Sequence, residues 1–122
     1  SLLNIIDRTI SPMGSRLLKR WLVRPLTRVD AIKQRLDVVE TLMTEPERRE
    51  KLREALGDVY DIERLIGRIC FGNANARDLA ALRRSLEVVP DINSALDNLL
   101  DPPPEHPELH ALLKRGIVDD TT

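Results

Sequence analysis

The spacing of apolar residues most constrains the fold, because it has the period of a helix from one end of the chain to the other. Apolar side chains recur three and four residues apart at Ile32, Leu36, Val39 and Met43, and again over residues 62–69. The strict alternation of apolar and polar residues that is typical of strands does not occur. The 122 residues are therefore predicted to form one all-α domain, an irregular helical bundle or array.

Capping residues place the helix boundaries. Ser11 followed by Pro12 predicts an N-cap and a proline at the first helical position. Pro25 is expected to end this first strong helix, because its ring blocks continuation. Gly57 and Gly72 are at positions typical of C-terminal glycines. Three further stretches match the capping box, namely Thr27-x-x-Asp30, Thr44-x-x-Glu47 and Asn75-x-x-Asp78.

One helix is predicted to be long, over residues 76–100, which is on the order of 35 Å. Pro90 lies inside it and is expected to cause a kink, because it removes a backbone hydrogen bond. The proline-rich residues 101–105 predict a stiff connector, and residues 107–118 a final helix. The apolar seam of the long helix consists of Leu79, Leu82, Leu86 and Val89, then Ile92 or Asn93, Leu96 and Leu100.

Composition excludes several classes of function. Only 2% of the residues are aromatic, too few for a protein that stacks single-stranded bases on aromatic side chains. The net charge is −1, so there is no bulk attraction to a polyanion, although residues 8–28 carry six basic side chains and no acidic one. No apolar run is long enough to span a bilayer. Cys70 is the only cysteine, which excludes an internal disulfide, and its apolar neighbours predict a buried, unreactive thiol.

The sequence contains no catalytic, cofactor-binding or metal-binding constellation that we would assign. There is no G-x-x-x-x-G-K-[ST] loop to hold nucleotide phosphates. His106 and His110 lie four residues apart without a third ligand, so surface histidines are the simpler interpretation. Asp61 and Glu63 are expected to serve the start of a helix, where carboxylates accept from free amides and favour the helix dipole.

The segment from Ser11 to Pro25 divides into two faces at 100° per residue. Gly14 and Trp21 fall on the apolar face, which is expected to be buried, and the glycine is expected to allow the close approach of a neighbouring helix. The other face is basic, and it is open whether it is only solvated or contacts phosphate or an acidic partner. Its residues are Arg16, Lys19, Arg20 and Arg24.

Residues 1–26 resemble the core (lever) domain signature of the MutS family of DNA mismatch-repair proteins. That signature reads S-L-x-x-x-x-D-x-T-x-T-P-M-G-x-R-x-L-x-x-W-L-x-x-P-L, and Ser11 stands where the family often has threonine. The matching positions are Ser1, Leu2, Asp7, Thr9, Pro12, Met13, Gly14, Arg16, Leu18, Trp21, Leu22, Pro25 and Leu26.

The resemblance continues along nearly the whole chain. Residues 32–43 are similar to the family's I-x-x-R-x-x-x-V-x-x-L helix, and residues 59–90 resemble its D-L-E-R-L to S-L-x-x-x-P block. In that block Ile62 replaces the usual leucine and Ala76 a common proline. Residues 115–122 resemble the stretch before the clamp domain. Of its polar positions, Asp61, Glu63, Arg64, Arg77 and Asp78 are expected to be structural, and its D-L-E-R-L-x-x-R part also contains Arg68.

The resemblance implies that residues 1–122 are the first part of the core domain, with the clamp, ATPase and mismatch-recognition domains outside this chain. In the family this core joins the ATPase domain to the DNA clamp, so the chain is expected to be a structural segment without a catalytic site. The parent protein would be a DNA-dependent ATPase that uses ATP and Mg, in the cytoplasm and, in a prokaryote, associated with the nucleoid. Its implied partners are a second MutS subunit, mismatched duplex DNA and MutL, and no membrane.

A stand-alone helical nucleic-acid-binding module remains the alternative interpretation. It would use the basic face formed by Arg16, Lys19, Arg20 and Arg24. Binding of duplex DNA by the isolated chain would distinguish it from a structural segment.

Overall fold

The computed structural model of the chain describes residues 1–116, which form seven helices and, over that range, no strand. The prediction of an all-α fold is confirmed. The helices are α1 (Leu2–Ile6), α2 (Pro12–Val23), α3 (Val29–Thr44), α4 (Pro46–Gly57), α5 (Ile62–Cys70), α6 (Ala76–Leu96) and α7 (Pro107–Gly116). The predicted end of the last helix, residues 117 and 118, lies outside the described residues.

Helix α6 is the centre of the fold. Helices α4, α5 and α7 all pack against it, and α3 packs on the outside of α4. One core cluster joins α5 and α7 to α6 and contains Leu65, Ala81, Leu82, Leu86 and Leu113. A second cluster joins α4 to the C-terminal half of α6 and contains Ala55, Ile92 and Leu96. The predicted seam of the long helix is thus the core of the domain.

The long helix is shorter than predicted, because it ends at Leu96 and not at residue 100. Asp97 and Asn98 have φ angles of 42° and 66°, in the left-handed region that Asp and Asn tolerate better than most residues. Leu100 lies beyond the helix and is 50% exposed, so it is not part of the seam. Pro90 lies inside α6, and the kink expected there stays a prediction.

Two of the predicted helix starts are confirmed by their caps. The Ser11 hydroxyl accepts the Gly14 N–H, with Pro12 at the first position of α2. Asn75 and Asp78 form the reciprocal capping box at the start of α6. The other two predicted capping boxes are wrong. The box Thr27-x-x-Asp30 begins one residue too early, because the N-cap of α3 is Arg28. The box Thr44-x-x-Glu47 also begins one residue too early, because the N-cap of α4 is Glu45. Neither N-cap accepts a hydrogen bond through its side chain.

The end of α5 corrects the prediction for Cys70, whose thiol is exposed and not buried. Cys70 lies five positions after the buried Leu65 on the same helix, a rotation of about 140° that turns it away from α6. Gly72 follows with a φ angle of +73°, as expected of a C-terminal glycine. Gly57 is the last residue of α4, also as expected, but without a positive φ angle.

The sequence predicts a neighbouring helix beside Gly14, but the nearest neighbours of this glycine are residues that precede its own helix. A Cβ at this position would lie 3.2 Å from Ser11 Oγ and 3.5 Å from Thr9 Cβ, and its three nearest atoms all belong to these two residues and not to a neighbouring helix. The glycine therefore makes room for the entry loop of its own helix. The prediction that the apolar face of α2 is buried is also wrong for this chain, since no residue of α2 is buried and Trp21 is 41% exposed.

Substitution of Gly14 by leucine should lower the free energy of unfolding by about 1–3 kcal/mol, because the new side chain displaces Ser11 from the cap. Urea unfolding of the chain followed by circular dichroism measures this. Gly67→Leu is the matched control, since Gly67 is also inside a helix but has nothing within 4 Å of its Cβ position. Equal effects of the two substitutions would contradict a packing role for Gly14.

The chain has more surface than a compact domain of its size. Its accessible surface is 9090 Å², whereas a compact monomer of 13.9 kDa exposes about 6700 Å². Much of the exposed apolar surface lies on α1, α2 and α3. Over the described range, no helix is both long and apolar enough to cross a bilayer.

Candidate functional site: the links between α2, α5 and α6

The loop before α2 is built around the carboxylate of Asp7. Its Oδ1 accepts the backbone N–H of Thr9 at 2.9 Å and also the Thr9 hydroxyl, while its Oδ2 accepts the Ser15 hydroxyl at 2.7 Å. These bonds, the Thr9 hydroxyl first, lower the pKa of Asp7 below its usual value. The motif residues Asp7, Thr9 and Ser11 thus fix the chain entry and the first turn of α2.

Arg16 connects α2 to the start of α5. Its guanidinium donates to both carboxylate oxygens of Asp61, at 2.9 and 2.8 Å, and lies 3.5 Å from Glu63 Oε1. A two-pronged pair of this kind fixes orientation as well as distance. Asp61 is also the N-cap of α5, because its Oδ1 accepts the Arg64 N–H at 3.2 Å. One carboxylate therefore both begins a helix and ties it to another.

The same arrangement recurs between α5 and α6. Arg68, in the last turn of α5, donates from Nε to Asp78 Oδ2 at 2.8 Å and from Nη2 to the Asn73 carbonyl at 3.2 Å. Asp78 also accepts the Asn75 N–H at 3.0 Å in the capping box of α6. Two cap carboxylates thus link α2 to α5 and α5 to α6. We call the four residues Arg16, Asp61, Arg68 and Asp78 the cap links.

The cap links have an electrostatic signature. The hydrogen bonds from Arg16 lower the pKa of Asp61 to about 2 and, in return, raise the pKa of Arg16. Arg68 likewise lowers the pKa of Asp78. All four side chains are charged at neutral pH.

Acid should weaken the first of these links. Because the folded-state pKa of Asp61 is lowered to about 2 from 3.8, its stabilisation is full above pH 3.8 and is lost as the pH falls through about 2. We therefore expect the stability difference between the natural chain and Asp61→Asn to shrink between pH 5 and pH 2. Asparagine keeps the N-cap, so the comparison isolates the charge. Urea unfolding at each pH measures it, and a constant difference would contradict the assignment.

The predicted basic face is divided by the structure. Arg16 lies against Asp61, whereas Lys19 and Arg20 are exposed on α2 and Arg24 is exposed just after its end. The remaining predicted signature residues are structural or exposed. Pro12 begins α2, and Pro25 follows its end. Glu63 lies near Arg16, the backbone N–H of Arg64 donates to Asp61, and Arg77 is exposed. The structure brings together Arg16, Asp61 and Glu63 and leaves the other basic residues of α2 apart from them.

Trp21 joins α2 to α3 by a cation–π contact. The guanidinium carbon of Arg35 lies 3.8 Å from the centroid of the indole ring. Arg35 is the arginine of the I-x-x-R motif that begins at Ile32. The spacing of neither helix alone indicated this contact.

Sequence reasoning missed Arg48. From α4 its guanidinium donates to the carbonyls of Ala95, at 2.6 Å, and Leu96, in the last turn of α6. The stretch that contains Arg48 is highly charged, and nothing in its pattern distinguishes this arginine from solvated neighbours. Only the fold shows that it closes the end of α6, where carbonyls lack partners.

The described residues offer little chemistry of their own. Over residues 1–116, no group of three or more His, Cys, Asp or Glu side chains could hold a metal ion. His106 is exposed, as expected of a surface histidine, whereas His110 is half-buried and lies 3.1 Å from Glu87 on the neighbouring α6. A wide cleft between α4 and α6 is open to solvent and lined by charged side chains such as Glu54 and Asp91.

Comparison with known proteins matches residues 1–122 to the family model described as MutS domain III. A DNA mismatch repair protein MutS from Geobacillus thermodenitrificans is 56% identical over 99 residues, and one from Methanosarcina barkeri 53% over 100 residues; each alignment covers 81% of this chain. One from Shouchella clausii is 43% identical over 126 residues, covering 98% of this chain. The matched regions are only 11%, 11% and 14% of those relatives.

Proposed function

This chain belongs to the MutS family of DNA mismatch-repair proteins, as its domain III, and on that premise we propose that it is a lever segment of the full-length protein. In this role it couples an ATPase domain to a DNA clamp. The full-length protein binds mismatched DNA and hydrolyses ATP with Mg, whereas this chain supplies no catalytic residue. Its partners are the clamp and ATPase domains, a second MutS subunit, mismatched duplex DNA and MutL. The full-length protein works in the cytoplasm, without a membrane partner.

The cap links carry this proposal. Each carboxylate that holds two helices together also begins one of them, so a displacement of α2 acts on the first turn of α5 and then of α6. Helix α6 is buried against three neighbours and can move only with them. Coupling between distant sites needs such rigid elements with physical connections between them.

The excess surface supports a segment that other parts of a larger protein cover. The chain exposes about 2400 Å² more than a compact monomer would, which is about three times the roughly 800 Å² that each partner buries in a standard interface. It spans about a ninth to a seventh of the relatives that it matches. A scaffold within a larger protein needs such surfaces, whereas an independent module would have to leave them in water.

The test uses the full-length protein with Arg16→Glu, which breaks the link to Asp61. We expect its affinity for mismatched duplex and its basal ATPase rate to stay close to those of the natural protein. The ATPase response to mismatched DNA should fall about fivefold or more, because the coupling free energy is lost. Arg20→Glu is the matched control on the same helix. An undiminished ATPase response in Arg16→Glu, or an equal loss in Arg20→Glu, would contradict the lever role.

The second candidate, a nucleic-acid-binding module, is supported by the exposure of Lys19, Arg20 and Arg24. It is weakened by the engagement of Arg16 with Asp61, which removes one charge from the face. Binding of labelled duplex DNA by the 122-residue chain at near-physiological salt tests it. Binding that disappears when these three residues are neutralised would favour the module over the lever.

A further inference from the structure

Helix α7 is held on the rest of the fold by few apolar contacts. Leu113 is the one buried residue among its ten, while Leu109 and Leu112 are 39% and 58% exposed. A helix of this length is marginal in water without tertiary support. Elements with few buried apolar contacts also open most readily. A polar contact of α7 therefore matters more for its attachment than a similar contact would in the centre of the fold.

One polar contact joins α7 to the central helix through a shared carboxylate. Glu87 Oε1 lies 3.1 Å from His110 Nε2, and it also accepts a hydrogen bond from Arg83 Nη1 at 2.8 Å. The side chain of Arg83 is only 5% exposed and lies one turn before Glu87 on the same helix. The carboxylate is therefore oriented by α6 itself, and in that orientation it meets the histidine of α7.

Several charged or titratable groups surround this carboxylate. The bond to His110 is the first of the causes that lower the pKa of Glu87 below its usual value, and the charges of Arg83 and Lys114 act in the same direction. Among side chains, histidine is the one that ordinarily changes charge between pH 5 and 8. We therefore expect His110 to control how this contact responds to pH. The groups beside Glu87 are Arg83, Arg84 and Asp91 on α6, His110 and Lys114 on α7, and Asp58 and Tyr60 before α5.

The two members of the contact bound a window of pH. Because the pKa of Glu87 is lowered from 4.5, its carboxylate is charged at pH 4.5 and above, and its contribution is lost only in stronger acid. An ordinary histidine is charged below about pH 6.5 and neutral above it. A charged ring adds an attraction between opposite charges to the hydrogen bond, whereas a neutral ring keeps the hydrogen bond alone. The contact is thus strongest in mild acid and weakens as the pH rises.

We propose that Glu87 and His110 form a pH-sensitive clasp, which holds α7 on α6 most firmly in mild acid and loosens between about pH 6 and pH 8. The proposal does not rest on the lever role, since it concerns only whether α7 stays docked on the central helix. It gives the fold a response to pH that the cap links do not supply, because arginine and aspartate both keep their charges over this range.

Hydrogen exchange of the full-length protein tests the clasp. Mass spectrometry follows the peptide of residues 107–116 between about pH 5.5 and pH 8, and each exchange rate is divided by the intrinsic rate of an unstructured peptide at the same pH. We expect the normalised rate of α7 to rise about two- to fivefold over this range, as for the loss of a partly exposed ion pair. The peptide of α4, residues 46–57, is the internal reference, because it packs on the same helix and contains no histidine.

Two histidine variants assign the response to one residue. In His110→Gln the side chain still donates a hydrogen bond but carries no charge at any pH, so the rise should disappear. His106→Gln is the matched control, since His106 is exposed four residues earlier, and it should keep the rise of the natural protein. A rise that persists in His110→Gln, a rise that disappears in His106→Gln, an equal rise in α4, or no rise in the natural protein would each overturn the proposal.

Discussion

Leu86→Ala should lower the free energy of unfolding of the chain by about 2–5 kcal/mol. Leu86 lies at the centre of the cluster in which α5 and α7 meet α6, together with Leu65 and Leu113. Truncation there removes apolar contacts and leaves a cavity that helices packed from both sides cannot close. The expected effect is therefore a large fraction of the stability of a domain of this size.

Urea unfolding followed by circular dichroism measures this change. Leu36→Ala is the matched control, since the same atoms are removed from a side chain that is 59% exposed. It should change the stability of the 122-residue chain by no more than about 0.5 kcal/mol. Equal losses for the two substitutions would mean that α6 is not the centre of the core.

Arg48→Ala should cost about 1.5–3 kcal/mol, since hydrogen bonds from charged groups are among the stronger ones. The substitution removes the donor to the Ala95 and Leu96 carbonyls and with it a polar connection between α4 and the end of α6. Arg48→Lys should recover only part of the loss, because an ammonium group lacks the planar fork that reaches two carbonyls.

The same unfolding measurement, with hydrogen exchange of the last turn of α6, tests the role of Arg48. Faster exchange should appear at the end of this helix and not at its start. Lys51→Ala, an exposed position on the same helix, is the control and should stay within about 0.5 kcal/mol of the natural chain. If Arg48→Ala behaves like this control, the closing role of Arg48 is wrong.

The helices and the central seam could be predicted from the sequence, because both follow from local periodicity and caps. Leu82, Leu86 and Leu96 share one side of a helix at three- and four-residue spacing, and burial of that side is the simplest outcome. The end of α6 was placed four residues too late, because Leu100 continues the apolar spacing. Periodicity does not show that Asp97 and Asn98 leave the helix.

The cap links could be predicted only in part. The signature contains all four positions, and the capping rules placed Asp61 and Asp78 at helix starts. Nothing local indicates that Arg16 meets Asp61, 45 residues later in the chain. Burial of Cys70 is predicted from its apolar neighbours and burial of Trp21 from the apolar face of its helix, but burial also needs enough cover from a second element. Cys70 is exposed, and Trp21 stays 41% exposed although Arg35 lies over its ring.

The most direct test of the lever role is a double-mutant cycle in the full-length protein. Arg16→Ala and Arg68→Ala each break one of the two cap links, and the measured quantity is the stimulation of ATPase activity by mismatched duplex DNA. If the links act in series from α2 through α5 to α6, the double mutant should lose no more stimulation than the more severe single mutant. Losses that multiply would show that the two links act independently, and undiminished stimulation in the double mutant would show that the lever does not depend on them.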